Sequence, residues 1–237
     1  MTQPEITEFS KQGYAVTPAI LSGHDLEPIL DYLHTVTTHS EVRPQVHAIR
    51  KLFCEHPQLV PIVFTNGLQR LIQEVMGDSY FLTKAIYFDK PEQSNWFVPY
   101  HQDITISVQR RIDTPGYKNW TKKQGYTSVQ PPLAILENTV TLRLHLDQTN
   151  DTNGALYVVP ESHRKGVFPS NMMSKDSEVC CEVEAGGVML MKPLTFHASR
   201  RSLNGLRRRV IHLEFNNRQL PNDLQWAERL SLAELAS

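Results

Sequence analysis

The chain has 237 residues, of which 21% are charged, and a formal net charge of −1. That length fits one domain with a sizeable core, and the near-neutral balance argues against a disordered tail or a nucleic-acid footprint. No apolar run is long enough to span a bilayer. The N-terminus lacks the basic start and apolar core of a signal peptide. Three cysteines, Cys54 and the adjacent Cys180 and Cys181, make no disulfide framework, so a cytoplasmic protein is the expectation.

Taken in order, residues 6–20 read as a helix start followed by a short extended piece at 13–16. Ser22 and Asp25 offer cap chemistry, and Ile29, Leu30, Leu33 and Val36 recur at helical spacing. Pro28 is expected in the first turn of that helix. Residues 46–53 are compatible with strand or loop. A second helix carries Leu68, Leu71, Ile72, Val75 and Met76 on one face, with Gly77 as its stop.

Beyond Gly77 the chain changes character. Short apolar runs at 79–89, 97–108, 139–147, 155–159, 179–184, 187–192 and 207–215 are separated by Gly, Pro, Asn and Asp. Helical patterns between them are missing, which disfavours a parallel α/β sheet and favours an antiparallel sandwich or barrel. The expected fold is mainly β: a double-stranded β-helix (jelly roll, cupin-like) with N-terminal helices packed against it. We expect one domain over 1–237, with a helical part over about 1–77 and a core over about 78–216.

Within the second of these runs lies the stretch with the most chemical content, Trp96 to Ile106. Side chains of a strand alternate, so His101 and Asp103 share a face. An imidazole beside a carboxylate is two thirds of the 2-His-1-carboxylate triad that holds Fe(II) and leaves positions open. A bare H-x-D is common, and most such pairs are surface residues. Residues 109–132 follow, polar, with Arg110, Arg111, Lys118, Lys122 and Lys123 against the single acid Asp113. A long loop in this position is expected to be a lid, its basic character suiting an anionic substrate or a merely solvated surface. Trp96 and Trp120 are the aromatics expected at the substrate mouth.

His197, 94 residues after Asp103, lies on a further extended piece, 193–199, and is the candidate third ligand. After it come five arginines in ten residues, 200–209. They suit a basic surface patch, yet 207–215 also reads as a strand. Alternation then sends Arg208, Val210 and His212 to one face and Arg207, Arg209 and Ile211 to the other. One inward guanidinium would bind a carboxylate bidentately.

These motifs together resemble the phytanoyl-CoA dioxygenase family, a branch of the Fe(II)- and 2-oxoglutarate-dependent oxygenases. The resemblance rests on Trp96, His101-Gln102-Asp103, Leu146-Asp147, Asn153-Gly154-Ala155-Leu156, Val159-Pro160-Glu161-Ser162-His163-Arg164 and His197-Ala198-Ser199. Arg208, eleven residues past the histidine, completes it. Coverage runs from Gly13 to about residue 215. The resemblance implies His101, Asp103 and His197 as iron ligands and Arg208, helped by Ser199, as the partner of the distal carboxylate of 2-oxoglutarate. Where relatives often carry a tryptophan, four residues before the acid matching Asp147, this chain has Arg143, which would touch cosubstrate or substrate. His145 is a rival ligand or a hydrogen-bonded neighbour. Tyr87 is a weaker candidate for the cosubstrate pocket. Glu161 stands where glycine is more usual, and Asn153-Gly154 suits a tight turn.

The implied activity is O2-dependent oxidation, a hydroxylation of a small molecule with release of succinate and CO2. Halogenating relatives lack the carboxylate matching Asp103, which favours hydroxylation or a related oxidation. No nucleic-acid or membrane partner is expected, and neither substrate nor oligomeric state is readable. The alternatives are a jelly-roll metal-binding protein without oxygenase activity and a metal-dependent hydrolase or isomerase, neither of which needs Arg208 to face the metal.

Overall fold

Cap chemistry sets the N-terminal helices. In this computed structural model, which describes residues 1–38, 48–90, 97–123 and 125–236, α1 (Gln3–Gln12) begins where the Thr2 N–H donates to the Glu5 carboxylate, 2.6 Å. It ends at Gly13, whose φ of 86° glycine adopts without strain. Strand β1 (Tyr14–Val16) follows. Helix α2 (Gly23–Thr38) starts earlier than expected, so Pro28 lies inside it rather than in its first turn. The cause is a reciprocal cap: the Ser22 N–H donates to Asp25, 2.7 Å, and the Asp25 N–H to the Ser22 hydroxyl, 3.3 Å. The undecided region resolves into β2 (Ala48–Arg50) and the short α3 (Leu52–Glu55). After α4 (Val60–Val63), α5 (Asn66–Met76) buries Leu68, Leu71, Ile72 and Met76, as their spacing requires.

The strands are β3 (Phe81–Lys90), β4 (Val98–His101), β5 (Ile106–Val108), β6 (Lys118–Lys123) and β7 (Tyr126–Gln130). Beyond α6 (Leu133–Glu137) come β8 (Val140–His145), β9 (Leu156–Val158), β10 (Val179–Cys181) and β11 (Val188–Met191). β12 (His197–Ser199), β13 (Arg208–Asn216), β14 (Leu230–Ser231) and α7 (Leu232–Leu235) complete the chain. The major sheet has the order β1-β11-β8-β13-β3-β14, with β2 also on β3. The minor sheet is β10-β9-β12-β4, and β5-β7-β6 form a third. The pairings are antiparallel, and the architecture is the expected jelly roll.

Register decides which side chains meet. Across the major sheet Arg50 is opposite Ile86, Ile86 opposite His212, His212 opposite Arg143, and Arg143 opposite Met189. This row lies on the inner face. Ala85, Tyr87, Leu142, Leu144, Leu190, Ile211 and Leu213 occupy the outer face and pack under α2, α4 and α5. Each fully buried leucine there contributes roughly 1.5–3 kcal/mol.

Residues 109–132 are not a structureless lid. They supply β6 and β7, which pair with β5, and Tyr117 and Val129 are buried with Ile106, Val108 and Trp226 in a second core. Backbone pairing and that core fix the segment as a β-ribbon. Among the described residues, no helix is long and apolar enough to cross a membrane.

Candidate metal centre

β12 pairs with β4 so that His197 is directly opposite His101. The chain then turns, and the Asp103 N–H donates to the carbonyl of Pro193, 2.9 Å. Between the two residues, Gln102 points the other way. Its amide donates to the carbonyls of Gly166 and Leu194, both 2.8 Å, and its oxygen accepts from the Phe168 N–H, 3.1 Å. The middle residue of H-x-D thus pins the two outer ones.

Asp103 reaches His101 Nε2 through Oδ1 and His197 Nε2 through Oδ2, each at 3.7 Å. One donor atom from each of the three lies within 4.8 Å of the others, close enough to converge on one ion. His101 Nδ1 contacts the Pro99 carbonyl and His197 Nδ1 the Thr195 carbonyl, both at 2.8 Å. A carbonyl only accepts, so each Nδ1 carries the hydrogen and each Nε2 keeps its lone pair for a metal. Burial pushes His197 down to about 4, against the pull of Asp103. Burial opposes ionisation of Asp103, but His197, His212, His101 and Lys84 outweigh it and hold the carboxyl below its ordinary value. Two imidazoles and one carboxylate are a donor set that fits Fe(II).

Beside this triad lie two guanidinium groups, Arg143 at 8% and Arg208 at 7% exposure. Arg208 donates to the Gly154 carbonyl and, at 3.3 Å, to the Ser199 hydroxyl, which itself donates to the same carbonyl, 2.9 Å. Gly154 sits at φ +89°, and a Cβ there would come within 3.1 Å of the Arg200 carbonyl and 3.2 Å of the Lys90 amine, so glycine is required. Arg143 donates to His212 Nδ1, 3.1 Å, and His212 Nε2 donates to Glu214, 3.1 Å, which pairs with Lys84 at 2.7 Å. Burial lowers Arg208 to about 9, helped by the charge of Arg143, and lowers Arg143 to about 10, countered by Asp103. Among the described residues neither has a carboxylate at ion-pairing distance, and Arg143 Nε and His145 Nε2 are buried without a hydrogen-bond partner. His145 Nδ1 is occupied by the Thr149 hydroxyl, 2.8 Å. Two buried guanidinium groups in this condition suit an anion with more than one carboxylate.

Three of the other arginines of the cluster are paired, Arg200 with Glu178. Arg207 forks onto Asp89 and Arg209 onto Asp147, each through two hydrogen bonds. One expectation is corrected. Tyr87 is on the outer face of β3, 1% exposed in the main core, with its hydroxyl donating to Asp89 at 3.1 Å. Alternation on β3 gives the inner face to Lys84, Ile86, Phe88 and Lys90 instead. Trp120 packs on the second core, with the Arg111 guanidinium 5.7 Å from its ring centre. Trp96 lies outside the described residues. The chain from Lys84 through Glu214 and His212 to Arg143 was not anticipated as a unit. Extending the alternation from Arg208 two residues past His212 would have found Glu214.

A family model described as Phytanoyl-CoA dioxygenase (PhyH) matches residues 1–210. No curated protein sequence matches the chain. Among solved structures, EctD from S. alaskensis in its apoform is similar with a TM-score of 0.70 at 15% identity, covering 91% of this chain and 77% of its own. EvdO2 from Micromonospora carbonacea var. aurantiaca, complexed with 2-oxoglutarate, gives 0.67 at 15% identity, over 98% and 93%. AviO1 from Streptomyces viridochromogenes Tue57 gives 0.62 at 20% identity, over 92% and 96%. At these identities the likeness is one of fold.

Proposed function

The chain belongs to the phytanoyl-CoA dioxygenase family, and from that premise we propose that it hydroxylates a small molecule, using Fe(II), 2-oxoglutarate and O2. Substrate C–H, 2-oxoglutarate and O2 become substrate C–OH, succinate and CO2. When bound, the iron supplies the activation of O2, with 2-oxoglutarate as the source of two electrons.

In this reading His101 and His197 offer their Nε2 lone pairs and Asp103 its carboxylate, the three held by the Pro99, Thr195 and Pro193 carbonyls. Arg208, steadied by Ser199, takes the distal carboxylate of 2-oxoglutarate. Arg143 lends its charge, and its unpartnered Nε, to the other end of the same dianion. His212 and Glu214 hold Arg143 in place. Val210, on the same face of β13 as Arg208 and His212, is buried beside them and excludes water from the ligand side. The whole chain is then a single catalytic unit.

The observation that carries the proposal is the pair of buried guanidinium groups with no carboxylate at ion-pairing distance among the described residues, next to a His-Asp-His cluster. A hydrolase or isomerase has no use for them. The structure of EctD with 2-oxoglutarate and 5-hydroxyectoine shows a similar fold beside a hydroxylated small molecule. The test is anaerobic titration of the Fe(II)-loaded protein with 2-oxoglutarate, followed by a small-molecule screen for succinate release under O2. Binding of 2-oxoglutarate with substrate-stimulated succinate supports the proposal. A protein that takes up Fe(II) but not 2-oxoglutarate refutes it.

A further inference from the structure

The inner-face row that contains Arg143 and His212 does not end at the metal centre. It continues through Ile86 to Arg50 on β2, two strand spacings from His212, on the order of 10 Å. There it opens into a cleft of about 360 Å³, lined by Arg50, Lys51, Lys84, Thr105, Lys123 and Tyr126 among others. Thr105 is two residues past Asp103. The Lys84 amine touches both sides of the junction, donating to the Thr105 carbonyl at 3.4 Å and to Glu214 at 2.7 Å. The cleft is therefore linked to the candidate centre through Thr105, two residues from Asp103, and through the buried Lys84–Glu214–His212 chain.

We propose that this cleft is the substrate subsite and that it receives an anionic group, carboxylate or phosphate, of the molecule being oxidised. The inference rests on the oxygenase reading and adds the class of substrate to it. Arg50, Lys51 and Lys123 bring three positive charges to the cleft, and none has a carboxylate at ion-pairing distance among the described residues. Lys84 is already neutralised by Glu214. The acid in the lining, Glu228, is buried, its carboxylate accepting the Ala85 N–H of β3 at 2.9 Å. The cations are also held in place. Arg50 and Lys51 lie against the Tyr126 ring, 5.9 and 5.6 Å from its centre. Thr105, Ser107, Thr121 and Ser128 add hydroxyl donors along the walls. A ligand pocket of this size takes a small molecule. Its geometry suits an acid whose oxidised carbon lies several bonds from the anionic group.

The test is calorimetric titration of the Fe(II)- and 2-oxoglutarate-loaded protein under nitrogen, so that Arg143 and Arg208 are already occupied. The probes are inorganic phosphate, benzoate and the uncharged analogue benzamide. The expected result is that at least one anion binds at least tenfold more tightly than benzamide; the order of phosphate and benzoate identifies the type of anion. Arg50→Gln with Lys51→Gln should remove at least tenfold of that affinity. Lys123→Gln should remove about threefold, and provides the same reading if the double variant fails to fold. Lys118→Gln with Lys122→Gln, on the same ribbon but outside the cleft, should leave it within twofold. Benzamide binding as well as both anions, or an equal loss in the Lys118/Lys122 control, overturns the proposal. Failure of the parent reading is separable: 2-oxoglutarate then does not bind. Phosphate that has settled on Arg143 and Arg208 instead is indifferent to the Arg50 and Lys51 substitutions, which counts against the cleft.

Discussion

Replacing Arg208 by methionine should make the metal-free protein more stable while impairing its chemistry. The guanidinium is 7% exposed and its pKa is lowered from 12.5 to about 9 by burial and by Arg143. A cation whose folded pKa lies below its unfolded value weakens the fold at every pH at which it stays charged. The shift corresponds to a penalty on the order of 5 kcal/mol. Against it stand the two hydrogen bonds that Arg208 makes, together worth about 3 kcal/mol at the lower end of the usual 1.5–3 kcal/mol for a bond to a charged group. Loss of the side chain leaves no orphan, because the Ser199 hydroxyl still donates to the Gly154 carbonyl at 2.9 Å. Methionine roughly fills the volume. The net expectation is a gain of about 2 kcal/mol in urea denaturation of EDTA-treated protein. Affinity for 2-oxoglutarate, titrated anaerobically against the Fe(II) protein, should fall by about 30-fold or more, the 2–5 kcal/mol typical of a truncated buried charge pair. A variant that is less stable than the parent and binds 2-oxoglutarate within threefold of it would falsify the assignment of an uncompensated, cosubstrate-binding charge.

Other outcomes are as specific. His101→Ala, Asp103→Ala and His197→Ala should each abolish retention of Fe(II) through gel filtration, and full retention in any one strikes that residue from the ligand set. Glu228 is held by burial at a pKa of about 7, above its ordinary 4.5, so the native state keeps this proton longer and stability falls as pH rises from about 4.5 to about 7. Glu228→Gln should therefore gain on the parent across that window and lead by about 3 kcal/mol at pH 8; a difference that does not vary with pH rules this out. Tyr87→Phe should cost about 1 kcal/mol through the lost bond to Asp89 and leave 2-oxoglutarate affinity unchanged. A tenfold weaker affinity would return that ring to the cosubstrate pocket.

Much of the centre was legible because strand alternation is local. That rule put His101 and Asp103 on one face, although β4 ends at His101 and Asp103 is held by its bond to Pro193 instead, and it separates Arg208 from Arg207 and Arg209. His197 was a candidate from its extended piece at 193–199, and the family resemblance implied it as a ligand, but no local pattern sets the pairing of residues so far apart in the chain. Tyr87 went astray for the opposite reason: β3 is buried on both faces, so its composition does not say which side meets the metal. Only the register with β13 does. The ribbon at 109–132 was hidden because β6 is exposed at Lys118, Asn119, Thr121, Lys122 and Lys123 and shows almost no alternation. The helix over Pro28 was misplaced because the Ser22–Asp25 cap fixes the first turn more firmly than the proline moves it.

Gln102 carries a consequence for how the protein can be handled. Because its amide ties the ligand-bearing strand to Gly166, Leu194 and Phe168, and both imidazoles are oriented by backbone carbonyls, the vertex exists before any ion arrives. Chelators should strip such a site reversibly and leave a folded receptor, in contrast to small zinc domains that collapse without their metal. Spectroscopically active surrogates such as Co(II) could then be exchanged in by dialysis, giving an optical window on ligand entry that iron itself does not provide.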